Sequence, residues 1–234
     1  MDQPTFQTQH QYKFMITRPS LKTIFVLTNL LFFFSCNQQQ QEQEQTSSSH
    51  SVDPVAGEHH FISGYEPITN DSLVNVVIEI PAGTDAKWEV EKESGHIAWE
   101  YRDGEPRVVQ YIGYPGNYGM VPRTLAGDGD TIDVLVLGAP IERGEIVETR
   151  IIGVLEMIDD DEQDDKLIAV TTDSHFNRVN NMEELDLHFR GVSTIIETWF
   201  ENYKGSDFNV EIIGIRDVDR AWEILRESVE AYGN

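Results

Sequence analysis

The chain has 234 residues, 39% of them hydrophobic and 10% aromatic, enough for one generous domain with a real core once a polar leader is set aside. Its formal net charge is −24, from 41 acids against 17 bases, which argues against nucleic acid or an anionic surface as the main partner. The single cysteine, Cys36, excludes an intrachain disulfide.

In chain order, residues 1–36 read as a targeting segment. Lys13, Arg18 and Lys22 precede an apolar run at 24–34 that is interrupted by Thr28 and Asn29. The run is short for a membrane span and suits a signal-peptide core. With Ser35 before Cys36, the segment resembles a bacterial lipoprotein signal, although Phe33 stands where an aliphatic residue is usual. Cys36 is the expected lipidation site, and Met15 offers a second start that gives a shorter leader. A buried helix with an incidental cysteine is the alternative. Residues 37–60 read as a flexible tether rich in Gln and Ser. His50, His59 and His60 lie in or beside it and are expected to be solvated. The folded domain is expected over 61–234.

The body opens on a β-branched strand at 74–80, whose Glu79 is costly inside an apolar run unless paired or metal-bound. Residues 86–90 read as a second strand, with Lys87 and Glu89 on one face and Trp88 and Val90 on the other. Residues 95–101 and 107–111 read as a hairpin turning at Asp103-Gly104. The stretch 113–119 reads as a loop of turn formers that carries Tyr114 and Tyr118, which either pack or present hydroxyls to an anion.

Residues 127–133 concentrate Asp128, Asp130 and Asp133 at the mouth of a buried strand. Clustered carboxylates repel unless a cation neutralises them, so the stretch is either a hard-metal site or a polar turn. A strand from Ile146 to Met157 leads to an acid loop at 156–166, followed by a strand at 167–170. From Asn181 the apolar positions recur at helical spacing through Leu185, Phe189, Val192, Ile196, Trp199 and Tyr203. A short strand at 207–214 and a last helix capped by Asp217 or Asp219 complete the chain. Strands first and helices late suggest a small closed barrel with helices outside it.

Six motifs in order carry a family resemblance: Val-Val-Ile-Glu-Ile-Pro at 76–81, Lys-x-Glu at 87–89, Tyr-Pro-x-Asn-Tyr-Gly at 114–119, Asp-Gly-Asp-x-x-Asp-Val-Leu-Val at 128–136, the acid loop ending in Lys-Leu-x-Ala-Val at 166–170, and Tyr203-Lys204. Together they resemble the soluble, barrel-type (family I) inorganic pyrophosphatases. The resemblance implies an α+β, mainly β fold, with a closed OB-like five-stranded barrel and flanking helices. It implies Mg²⁺-dependent hydrolysis of pyrophosphate to two orthophosphates, with Mn²⁺ or other divalent ions as substitutes.

By matching position, the resemblance makes Asp128, Asp133, Asp164, Asp159, Glu79 and Glu89 the metal-site acids and Asp130 the residue that activates water. Lys87, Arg107, Tyr118, Lys166, Tyr203 and Lys204 become the groups that hold phosphoryl oxygens, with Tyr114 nearby. Arg107 is placed by its distance to Tyr114, because the stretch before it is longer than in compact bacterial members. Asp160, Asp161 and Asp165 compete with Asp159 and Asp164 within the acid loop. Family members commonly assemble, which leaves a homo-oligomer open. The leader implies an exported, periplasm-facing protein held to the membrane only through lipid on Cys36, with a cytoplasmic protein as the alternative. A non-enzymatic surface lipoprotein that binds divalent cations or phosphate is the rival reading. It leaves the placement of Lys87, Arg107, Lys166 and Lys204 unexplained in a body of 14 bases and 36 acids.

Overall fold

The structure, a computed structural model, describes residues 53–69, 72–205 and 208–234. The leader and Cys36 therefore lie outside the described residues. Among the described residues, eleven strands and three helices follow in order: β1 (Val74–Ile80), β2 (Trp88–Val90), β3 (Ile97–Trp99), β4 (Tyr101–Arg102), β5 (Glu105–Pro106), β6 (Asn117–Met120), β7 (Asp133–Leu137), β8 (Ile146–Asp159), β9 (Glu162–Gln163), β10 (Lys166–Thr171), α1 (Met182–His188), α2 (Val192–Asn202), β11 (Val210–Arg216) and α3 (Val218–Gly233).

Five of these strands close on themselves. The order β1-β6-β7-β10-β8 returns to β1 through Val74↔Thr149 and the three register pairs that follow. Only β7 and β10 run parallel; the other ring pairings are antiparallel. The barrel expected from the sequence is therefore present, and closure leaves its strands no free edge within the ring. β11 lies outside it, paired to β8.

Strands β1, β7 and β10 are apolar almost throughout because both of their faces are covered. Val77, Leu135 and Ile168 pack with Leu185, Ile196, Trp199 and Phe200 of the first two helices. Their neighbours Val76, Val134 and Leu167 pack with Ala221, Ile224 and Leu225 of α3. At Gly119 the backbones of β6 and β1 approach so closely that an added Cβ would lie 1.9 Å from the Val77 carbonyl oxygen.

The structure departs from the sequence expectations at four places. Residues 95–101 do not pair with 107–111: β3 pairs with β2, Trp88 opposite Trp99, and the Asp103-Gly104 hairpin is confined to β4 and β5. The aromatic pair stacks at 5.6 Å, an attraction that local turn signals do not reveal. Residues 117–120 are a buried strand, not part of a loop, since Asn117 and Gly119 tolerate a strand where tertiary hydrogen bonds supply the reason.

The helical segment from Asn181 is broken in two: α1 ends at His188 with Phe189 as its C-cap, and Gly191, with φ of 87°, is the N-cap of α2. The described residues also begin inside the stretch read as tether. Val55 exchanges backbone hydrogen bonds with Ile97 at 2.8 and 2.9 Å, and His60 packs against Gly95, so the body starts before Phe61. Short apolar anchors in a polar stretch give no periodicity to read. Asp217, not Asp219, caps the last helix, its carboxylate accepting from the Arg220 N–H.

Candidate active site

The loop between β6 and β7, which carries Asp128 and Asp130, is shaped by its own polar groups. Thr124 donates to the Val121 carbonyl at 2.7 Å and accepts from the Ile132 N–H at 3.0 Å, tying both ends of the loop together. Within it, Asp128 accepts from the Asp130 N–H at 2.9 Å across Gly129. This leaves Asp130 well exposed, with 59% of its side chain accessible, and ion-paired to Lys92.

Asp133 opens β7, and its Oδ2 accepts from both the Tyr118 hydroxyl and Lys166 Nζ at 2.5 Å. Lys166 also pairs with Asp164, so one buried ammonium bridges two carboxylates. Burial alone would lower the Lys166 pKa, but Asp133 and Asp164 hold it well above the ordinary lysine value.

Glu79, near the end of β1, is buried and accepts from the Val90 N–H at 2.8 Å. Burial pushes its carboxyl up to about 8, against the pull of Lys87 and with Asp133 adding to the rise. Lys87 lies 3.4 Å from Glu89, on the shared face expected from the alternation.

The hairpin from β8 through β9 separates the competing aspartates. Asp160 and Asp161 form its tip, with positive φ of 48° and 72°. Asp165 turns away: it accepts from Gln163 at 2.8 Å and from the Met157 N–H at 3.3 Å. Asp164 faces Lys166, and Asp159 pairs with Lys204 just beyond the end of α2.

Two cavities meet at Lys87. One, of about 840 Å³, is lined by Glu79, Glu89, Asp128, Asp130 and Asp133 as well as Lys87. The other, of about 360 Å³, is lined by Arg107, Tyr114, Tyr203 and Lys204 together with Lys87. Asp159, Asp164, Lys166 and Tyr118 line neither cavity directly. Tyr118 and Lys166 reach the first through Asp133, Asp164 follows through Lys166, and Asp159 reaches the second through Lys204. All thirteen residues implied by the resemblance thus line these cavities or are linked by ion pairs and hydrogen bonds to residues that do, and Arg107, on the second cavity's wall, is held by Glu100 at 2.7 and 2.9 Å.

The acids form a hard-oxygen donor set suited to Mg²⁺. The Oδ1 of Asp159 is buried with no hydrogen-bond partner, which fits a missing electropositive neighbour. Among the described residues, no three of these groups already stand at ion-holding spacing. Glu89, Asp130, Asp133, Asp159 and Asp164 each pair with a lysine instead, so an arriving metal ion competes with those lysines for the carboxylates.

The chain matches the family described as inorganic pyrophosphatase over residues 76–233. It belongs to the inorganic pyrophosphatase family. The enzyme of that name from Campylobacter jejuni is 37% identical over 163 residues, 68% of this chain and 91% of its relative. One from Xanthomonas campestris is 39% identical over 165 residues, 69% of this chain and 90% of the relative. The crystal structure of inorganic pyrophosphatase from Thermus thermophilus superposes with a TM-score of 0.66 at 32% identity, covering 75% of this chain and all of that one. The Helicobacter pylori pyrophosphatase gives 0.64 at 33% identity, over 74% of this chain and all of that one.

Three residues of the site escaped the sequence reading. Lys92 pairs with Asp130, and Glu100 grips Arg107. Asn117 is fully buried, accepts from the Ala82 and Ile141 N–H groups at 3.0 and 2.8 Å, and donates to the Ala139 carbonyl at 2.9 Å. For the last, its place inside the 114–119 motif was the available signal, and the structure supplies the reason, because a buried amide must find partners.

Proposed function

We propose that this pyrophosphatase-family chain hydrolyses inorganic pyrophosphate to two orthophosphates, with Mg²⁺ as its resident cofactor and no covalent intermediate. The carrying observation is the meeting, at Lys87, of an acid-lined cavity with a base-lined one. Glu79, Glu89, Asp128, Asp133, Asp159 and Asp164 would hold the divalent ions. Bound there, such ions supply Lewis-acid polarisation and a water acidic enough to act near neutral pH.

The chain's own groups divide the remaining work. Asp130 stands exposed on the acid side, between the two aspartates of its loop, and accepts the proton of the attacking water. The water oxygen bonds to one phosphorus as the bridging oxygen departs with the other phosphoryl group. Lys87, Arg107 and Lys204 stabilise the charge that gathers on that leaving group. Lys166 fixes Asp133 and Asp164 against each other, and Tyr118 orients Asp133 through its hydroxyl. Phosphate release by the purified chain, measured with and without Mg²⁺, tests the reading; no Mg²⁺-dependent release from pyrophosphate would overturn it.

We also propose export and lipid anchoring at Cys36. The support is the basic and apolar leader ending in a small residue before the sole cysteine. Among the described residues no helix is long and apolar enough to cross a membrane. Replacing Cys36 by Ser should move the protein out of the membrane fraction; unchanged fractionation would overturn the anchor.

A further inference from the structure

Arg102 is not among the groups to which the reaction has been assigned above, yet it stands on the wall of the base-lined cavity with Lys87, Arg107 and Lys204. It is carried there by the β4–β5 hairpin, whose turn residues Asp103 and Gly104 both have positive φ, 54° and 85°. Such a turn matches the twist of its strands, so a two-residue hairpin of this kind is a defined platform. The guanidinium lies over the Phe208 ring at 5.9 Å, and Lys204 approaches the same ring at 5.7 Å. Phe208 itself lines the cavity, so an aromatic face holds two cations at one end of it.

The other three cations of this wall are engaged closely by carboxylates. Lys87 has Glu89 at 3.4 Å, Arg107 has both oxygens of Glu100, and Lys204 has Asp159. Among the described residues, the carboxylate contact of Arg102 is Glu100 at 3.7 Å, and Arg107 already takes both of its oxygens. Half of the Arg102 side chain is accessible, at 49%. Asp103 and Glu105 share the cavity wall and oppose an anion there.

We propose that Arg102 is a further phosphate-binding residue of this site, positioned at the outer end of the base-lined cavity and receiving the phosphoryl group farther from the attacked phosphorus. A guanidinium presents two parallel N–H donors to a phosphate, which a lysine cannot match. In a chain of net charge −24, a cation at the entrance also draws a polyanion in against the overall field. Arg102 is half exposed at the outer end of this cavity and does not line the acid-lined one, so its effect falls chiefly on binding.

The inference rests on the pyrophosphate reading, and its test separates the two. Wild type, Arg102→Gln, Arg102→Lys and Glu105→Gln are compared in Mg²⁺ for turnover of pyrophosphate. Binding of the non-hydrolysable analogue imidodiphosphate is measured by calorimetry on the same four proteins. Arg102→Gln should raise KM and the analogue's Kd about three- to tenfold with kcat within about twofold, as for a partly exposed charge contact. The loss should shrink as salt is raised. Arg102→Lys should recover part of it, and Glu105→Gln should shift both constants the opposite way by removing a repelling charge.

Unchanged KM and Kd in Arg102→Gln, or a loss of the same size at high and low salt, overturns the role of Arg102. Absence of wild-type turnover overturns the hydrolase reading, while analogue binding still decides on Arg102.

Discussion

Lys166 and Asp133 face each other twice: they are register partners across the parallel β7–β10 pairing, and their side chains are ion-paired at 2.5 Å. The backbone pairing thus fixes the side-chain pairing, and Asp164 is drawn into it from the next residue but one. Replacing Lys166 by Gln leaves two carboxylates near one another in a buried site. We expect the metal-free protein to lose about 3 kcal/mol in urea denaturation, since removing one member of a buried pair strands the other. Added Mg²⁺ should recover part of this loss by substituting for the missing positive charge, an effect that urea midpoints at increasing Mg²⁺ would show.

Asp130 and Asp165 offer a paired comparison between an exposed acid and a buried one that look alike in sequence. Asp130→Asn should reduce kcat by about 10²- to 10⁴-fold, the usual contribution of a general base, with the melting temperature nearly unchanged. Asp165→Asn should leave kcat close to wild type, because its carboxylate is turned toward Gln163 and the Met157 N–H. Steady-state kinetics and thermal melts on both variants check the pair; equal losses of kcat would dissolve the distinction.

Glu79 gives the metal-free protein a pH signature. Its carboxyl lies near 4.5 in the unfolded chain and is raised to about 8 in the fold, chiefly by burial. Between those values the folded state holds the proton more tightly, so unfolding releases it and stability falls as pH rises from about 4.5 to about 8. Below 4.5 the group is protonated in both states and contributes no slope. Glu79→Gln should remove this component, and urea midpoints across that pH range, with chelator present, would reveal it. An unchanged slope in the variant would show that the charge of Glu79 is relieved in another way.

Gly119 is a place where a single methyl group matters. An alanine there would press against the Val77 carbonyl, a backbone atom that cannot swing aside. Gly119→Ala should cost about 3 kcal/mol of stability, at the upper end of overpacking effects. Because β6 links β1 to β7 in the ring, turnover should fall with it even where the chain remains folded. Denaturation and activity measured together test both halves of this expectation.

How legible was all this beforehand? The acids of the site were readable because carboxylates in a strand or crowded at its mouth are costly without a counter-charge, as at Glu79 and the trio 128, 130 and 133. The barrel followed from strands gathered early in the body and helices late, together with the family resemblance. Which acid of 159–165 faced the bases was unreadable, since that depends on the two-residue tip at Asp160 and Asp161, where left-handed conformations fall on non-glycine residues. Lys92 and Glu100 were invisible for a related reason: each meets its partner through a fold contact, and a charged residue in a polar stretch looks solvated. The break at Gly191 was hidden because the apolar spacing continues across it.

In the five-strand ring, β10 is the last strand along the chain yet sits between β7 and β8, both of which precede it. During synthesis the acids of the 127–133 loop therefore emerge well before the lysine that steadies them. Until residue 171 has left the ribosome, the barrel lacks a stave and Asp133 lacks its counter-ion. A nascent or truncated chain ending earlier would carry an exposed, unneutralised cluster of acids, with neither substrate affinity nor a closed sheet. Closure of the sheet and neutralisation of Asp133 thus arrive in one step, with the insertion of a single segment.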